Sequence, residues 1–121
     1  MAKILIVDDS PTERHVLKTI LENNGHNVET ATTAEEGIEV AKKTKPDLIL
    51  MDVVMPGING FQATRKLSKD ADTATIPVII VTTKDQETDR VWGLRQGAKD
   101  YLTKPMDEAE LMSKIKSLIG G

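Results

Sequence analysis

The sequence predicts an α/β domain: one parallel sheet of five strands, alternating with five helices that cover both of its faces. Three observations carry that expectation. The runs Ile4–Val7, Leu48–Met51 and Val78–Val81 are continuously apolar, without the alternation of a strand that shows one face to water, so each reads as a strand buried on both sides. Between them the apolar residues switch to helical spacing, and capping signals punctuate the change. A length of 121 residues suits one core and is too short for two comfortable domains, so residues 1–121 are read as a single unit with a single site.

The first strand, Ile4–Val7, stops at the acidic pair Asp8-Asp9. A helix should begin at once, because Ser10 is a good N-cap, Pro11 suits the first helical position and Glu13 completes a Ser-x-x-Glu capping box. Leu17, Ile20 and Leu21 would form its buried face, and Gly25 would stop it. His26–Ala31 alternates weakly around Val28 and reads as a short strand at the sheet edge. A second capping box, Thr33 to Glu36, opens a helix with Ile38, Val40 and Ala41 inward, closed by Pro46. The third strand is Leu48–Met51; behind it Met55-Pro56-Gly57 and Asn59-Gly60 force a turn. Phe61–Lys69 suits a helix that packs Phe61, Thr64 and Leu67, and Asp70–Thr75 is a polar connector. After the fourth strand, which ends in Thr82-Thr83, Asp85 is the expected cap of a helix with Val91, Leu94 and, at its margin, Trp92 turned inward, stopped by Gly97. Tyr101–Thr103 is a short fifth strand. An Asp107 to Glu110 capping box then opens a last helix carrying Leu111, Ile115, Leu118 and Ile119.

Composition narrows the function classes. The net charge is −3 and the cations are spread without a basic block, which argues against nucleic-acid binding. There is no cysteine, so disulfides and thiolate metal sites are excluded. The N-terminal apolar run is cut off by Asp8 after four residues, far too short for a signal peptide or a membrane span, and a cytoplasmic location is the expectation. His15 and His26 are expected to play surface structural roles, since no acids accompany them in sequence.

The polar residues that follow the apolar strands are Asp8 and Asp9, Asp52, Thr82 and Lys104. Taken singly each has a bland reading: a solvated turn, a loop-starting acid, a strand-end hydroxyl, a surface charge. In a parallel α/β sheet, however, all carboxyl strand ends lie at one edge and ligands bind in the crevice there, so these residues should meet. Three converging carboxylates repel one another unless a cation joins them, and oxygen ligands without His or Cys select Mg²⁺, or Mn²⁺ in its place. A carboxylate beside a divalent metal, an ammonium and a hydroxyl suits phosphoryl chemistry: Asp52 as nucleophile toward phosphorus, the metal and Lys104 neutralising the oxygens, Thr82 bonding one of them. No GxxxxGK[ST] or GxGxxG loop indicates a bound nucleotide as donor.

Asp8-Asp9, Asp52 with Met55-Pro56-Gly57 and Gly60, Thr82, Gly97-Ala98 and Lys104-Pro105 together make the chain resemble, end to end, the receiver domain of two-component response regulators. The resemblance implies a flavodoxin-like doubly wound fold with strand order 2-1-3-4-5. It implies Asp52 as phosphoacceptor for a histidine kinase. Mg²⁺ would be held by Asp9, Asp52 and the backbone carbonyl of Val54, with Asp8 acting through water. Lys104, before a cis Lys104-Pro105 bond, would pair with the phosphoryl group. Thr82 and Tyr101 would be a coupled switch: as Thr82 moves toward the phosphoryl oxygen the Tyr101 ring turns inward and alters the surface of the fourth helix, fifth strand and fifth helix, where Trp92 also lies and a downstream protein would bind. The residues flanking the site, Val54 and Lys84, vary in the family and bear on how fast the phosphoryl group hydrolyses.

A narrower likeness, in the stretches VTTKDQETDRVWGLRQGAKDYLTKP and NGFQATRKL, is to single-domain regulators of twitching motility of the PilH type. It implies a stand-alone receiver, monomeric or weakly dimeric, that contacts neither nucleic acid nor membrane. With the chain ending after the fifth helix, no output domain is expected to follow. The output is then a protein contact, or removal of phosphate from a shared kinase. Two rival readings stand beside this one. A phosphatase with an aspartyl-phosphate intermediate usually wants a second acid two residues after its nucleophile, where this chain has Val54. A binding module of the same fold that is never phosphorylated would be marked by loss of an acidic or lysine position, and none is lost.

Overall fold

A computed structural model describes residues 2–120. The elements follow in the order β1 (Lys3–Val7), α1 (Pro11–Asn23), β2 (Asn27–Ala31), α2 (Ala34–Thr44), β3 (Leu48–Met51), α3 (Gly60–Lys69), β4 (Val78–Thr82), α4 (Glu87–Arg95), β5 (Asp100–Thr103) and α5 (Glu108–Ile119). The five strands form one sheet in the order β2-β1-β3-β4-β5, and every pairing is parallel. The weakly alternating β2 is indeed an edge strand, while β1, β3 and β4, which contain the continuously apolar runs, are the three inner ones.

Side chains alternate across the pleat and feed two cores. On one face Ile4, Ile6, Leu48, Leu50, Ile79, Val81 and Leu102 pack against Leu17 and Leu21 of α1 and Leu111 and Ile115 of α5. On the other, Leu5, Val7, Ile49, Met51 and Val78 meet Ala34 and Ala41 of α2 and Ala63 and Leu67 of α3. A smaller cluster of Val53, Phe61, Ile80, Ala98 and Tyr101 lies beneath α4.

Several local expectations need correction. The expected cap of the fourth helix, Asp85, lies outside it: α4 starts at Glu87, and its N-cap, Gln86, makes no side-chain capping bond. Its expected inward residues face water, with Val91 41%, Trp92 52% and Leu94 37% exposed. The buried residue of α4 is Gly93, because a glycine lets the helix backbone settle directly onto the aromatic cluster. His26 is buried rather than on the surface; burial lowers its imidazole pKa, and its Nδ1 accepts the Ala2 N–H at 3.1 Å, tying the chain start to β2.

The capping boxes are half realised. Ser10, Thr33 and Asp107 each accept an N–H three residues on, from Glu13, Glu36 and Glu110. Glu36 reaches back to the Thr32 N–H instead of that of Thr33. The complete box is Asn59 with Gln62, which places the start of α3 at Gly60 rather than Phe61.

Gly60 explains the shape of the β3–α3 turn. Its N–H donates to the Val53 carbonyl at 2.9 Å, and a Cβ there would fall on the carbonyl oxygen of Asp52. The chain folds back so tightly over the end of β3 that only a hydrogen fits. Gly60→Ala is therefore expected to cost about 3 kcal/mol of stability, at the severe end of overpacking because the obstacle is backbone, measured by urea unfolding.

Candidate functional site

Main-chain hydrogen bonds bring the polar strand-end residues together. Val7 is in register with Met51, so Asp8 and Asp52 leave the sheet side by side. The Asp52 N–H donates to the Val7 carbonyl at 2.9 Å and the Asp8 N–H to the Ala31 carbonyl at 3.1 Å. From the other side of the crevice, the Lys104 N–H donates to the Thr82 carbonyl at 2.7 Å, and the Lys104-Pro105 peptide is cis.

At the centre lies the Lys104 ammonium. Its Nζ is 2.7 Å from Asp8 Oδ2, 3.3 Å from Glu13 Oε2 and 3.7 Å from Asp52 Oδ2. The side chains of Lys104, Asp8 and Asp52 are 7%, 2% and 12% exposed, so these charges act on one another with little water between them. The remaining carboxylate oxygens are bonded to backbone: Asp8 Oδ1 accepts the Ser10 N–H at 2.9 Å, and Asp52 Oδ1 accepts the Val53 N–H at 2.7 Å. Burial pushes the Asp52 carboxyl above its ordinary pKa, Lys104 pulls against that rise, and the Asp8 charge adds to it. Burial works to lower the Lys104 pKa, but the bond to Asp8 and the charges of Asp52, Asp8 and Glu13 outweigh it and hold the ammonium protonated.

Asp9 is exposed at the mouth, and Asp8, Asp9 and Asp52 each offer an oxygen within 4.8 Å of the others. Three hard carboxylate donors, with no His or Cys among them, fit a small divalent cation such as Mg²⁺. The site thus gathers three convergent carboxylates, two of them largely buried, around a fixed ammonium.

Thr82 is fully buried, and its Oγ1 accepts the Lys84 N–H at 3.4 Å. The Tyr101 ring is 5% exposed, and its hydroxyl donates to the Lys84 carbonyl at 2.8 Å. The two residues read as a pair in the sequence thus hold the backbone of the same third residue. In this arrangement the ring is inward while Thr82 is bonded to Lys84, and Gly93 makes the room. A Cβ at Gly93 would stand 2.8 Å from Ile80 Cδ1, 3.1 Å from Tyr101 Cδ2 and 3.2 Å from Phe61 Cε1. Trp92 lines a hollow with Asn59, Phe61, Gln62, Arg65 and Gln96. Val54, 61% exposed, lines another with Lys84.

Glu13 has a task beyond the one its sequence context signals: its N–H completes the Ser10 cap as expected, while its side chain reaches Lys104 instead of closing the box. The available signal was that α1 starts at the carboxyl edge of the sheet, so its first turn borders the crevice.

A parallel 2-1-3-4-5 sheet with an acidic pocket and a lysine at its carboxyl edge defines a phosphoacceptor-type α/β domain. The model of the response regulator receiver domain matches residues 4–116, and the chain belongs to that family. It is 62% identical over 121 residues to protein PilH of Pseudomonas aeruginosa, covering the whole of both chains. It is 41% identical to response regulator PleD of Caulobacter vibrioides, but spans 26% of that longer protein. Among solved structures it matches the magnesium-bound receiver domain of a sensor histidine kinase from Pseudomonas aeruginosa PAO1, at 31% identity and TM-score 0.91 over 99% of this chain and 98% of that one. The chemotaxis protein CheY4 of Vibrio cholerae matches at 30% identity and TM-score 0.90, covering 98% of each chain.

The buried Tyr101 hydroxyl gives a direct check on the ring position. Burial first, then the charges of Asp89, Asp52 and Asp85, push its pKa from 10.0 up to about 12. As the only tyrosine, it should show a tyrosinate midpoint near 12 in an ultraviolet absorbance titration, whereas an outward ring would titrate near 10. An unfolded chain releases this proton first, so the ring's contribution to stability is complete below pH 10 and lost as pH rises through about 12.

Proposed function

We propose that this chain is a stand-alone response regulator whose Asp52 accepts a phosphoryl group from a partner histidine kinase, and that the modified form changes its contacts with another protein. The observation that carries the reading is the Lys104 ammonium, buried between Asp8 and Asp52 at the edge of the sheet. An oxygen of the Asp52 carboxylate attacks the phosphorus of phosphohistidine; the P–O bond forms as the P–N bond breaks, and the imidazole leaves with a proton. Asp9, Asp52 and the Val54 carbonyl, with Asp8 through water, would hold Mg²⁺, or Mn²⁺ in its place. A divalent cation there supplies charge neutralisation at the phosphoryl oxygens. Lys104 needs to move only from carboxylate oxygen to phosphoryl oxygen to provide the second countercharge.

Thr82 then exchanges its contact with the Lys84 N–H for one to a phosphoryl oxygen. Because Tyr101 holds the carbonyl of the same residue, the β4–α4 segment and the ring respond together. The surface of α4, β5 and α5 carries the output to a downstream protein, with neither nucleic acid nor membrane as target. Among the described residues no helix is long and apolar enough to cross a membrane. The proposed setting is the cytoplasm, with the protein a monomer or weak dimer. The full-length similarity to PilH supports a place in pilus-linked twitching motility or a chemotaxis-like pathway. Turnover is limited to self-catalysed phosphotransfer and hydrolysis, since Val54 stands where an aspartyl-phosphate phosphatase would want its second acid.

The test is transfer of radiolabelled phosphate from purified kinases of the same organism. Wild-type protein should be labelled within minutes by its cognate kinase and Asp52→Asn should not be labelled at all. Equal labelling of the two would refute Asp52 as the acceptor.

A further inference from the structure

We infer that Glu13 is a positioning residue that receives the Lys104 ammonium when a divalent cation takes the acidic pocket. The inference rests on the reading of Asp8, Asp9 and Asp52 as a cation site. Lys104 lies among three carboxylates, and two of them, Asp8 at 2.7 Å and Asp52 at 3.7 Å, belong to the cation cluster. Glu13, at 3.3 Å, does not. A divalent cation and an ammonium sharing Asp8 would repel strongly in so dry a setting, so the ammonium must loosen from Asp8 as the cation enters. Among the described residues, Glu13 is the one acid bonded to Lys104 that can keep it paired without also binding the cation.

The geometry suits that task. Glu13 sits in the first turn of α1, on a helix whose start is fixed by the Ser10 cap and by Arg14, whose guanidinium donates to the Asp8 carbonyl at 2.8 Å. Its side chain is 40% exposed, against 7% for Lys104, so it can follow the ammonium outward with its own remaining lone pairs hydrated. The side chain forgoes the reciprocal half of its capping box to be there. Without Glu13, cation entry would leave a nearly buried ammonium facing a dication with one partner fewer, and the cation would bind less well.

Two variants separate this role from the simple loss of a negative charge near the pocket. Glu13→Gln removes the charge. Glu13→Asp keeps it, but is one methylene too short to reach Lys104. Magnesium affinity is measured by isothermal titration calorimetry on the whole protein, with Asp9→Asn as the control that should abolish binding. Both Glu13 variants are expected to bind Mg²⁺ more weakly by roughly threefold to tenfold, the usual size of a coupling between neighbouring charges. In a Lys104→Met background the same two substitutions should change the affinity little. Wild-type affinity in Glu13→Asp, or an equal loss from Glu13→Gln with and without Lys104, would overturn the role, since either marks a plain charge effect. If wild type binds Mg²⁺ and Asp9→Asn does not, the cation site stands and the Glu13 result is judged alone. If wild type does not bind Mg²⁺, the site reading falls and the inference with it.

Discussion

The constraint on which the rest depends is the burial of one ammonium among carboxylates that could not otherwise be gathered. Asp8 and Asp52 are nearly inaccessible and side by side, an arrangement that like-charge repulsion and desolvation both oppose. Lys104 makes it tolerable, and the fold fixes all three by main-chain bonds to Ala31, Val7 and Thr82 rather than by mobile side-chain contacts. On the phosphotransfer reading proposed above, the cation that stabilises the cluster is also the one the chemistry would need, and the site is a balance of positive charge over a fixed set of acids.

Around this edge the packing is uneven. α1, α2, α3 and α5 are anchored by leucine, isoleucine, alanine and phenylalanine side chains. α4 is nine residues long, lacks a side-chain cap, and buries Gly93 alone. A short helix held mainly by backbone contact with Ile80, Tyr101 and Phe61 belongs to the less stable end of the domain, where conformational change is cheapest. The segment between β4 and α4 is also where Thr82 and Tyr101 meet on Lys84. The contacts on Lys84 thus join the edge of the acidic pocket to the helix that buries only Gly93.

The sheet was legible because its inner strands are uninterrupted apolar runs, and the site because parallel strands must end at one edge. His26 was misread because a buried imidazole satisfied by a single N–H leaves no pattern in sequence. The inward face of α4 was misread because Val91, Trp92 and Leu94 carry the hydrophobic signal while the contact is made by a glycine, which carries none. Glu13 was hidden by a local motif that it satisfies only in part: the N–H of Glu13 completes the Ser10 cap, while its carboxylate belongs to a contact with Lys104, far along the chain. Local rules place the backbone well, and they fail where one side chain has a second, distant partner.

The most direct measurement is thermal unfolding of Lys104→Met beside wild type, each with and without millimolar magnesium. Removing the ammonium should lower the melting temperature, because the acids lose their shared cation, and magnesium should restore more stability to the variant than it adds to wild type. Unchanged stability of Lys104→Met, with an equal magnesium response in both proteins, would contradict the view that one buried positive charge holds this site together.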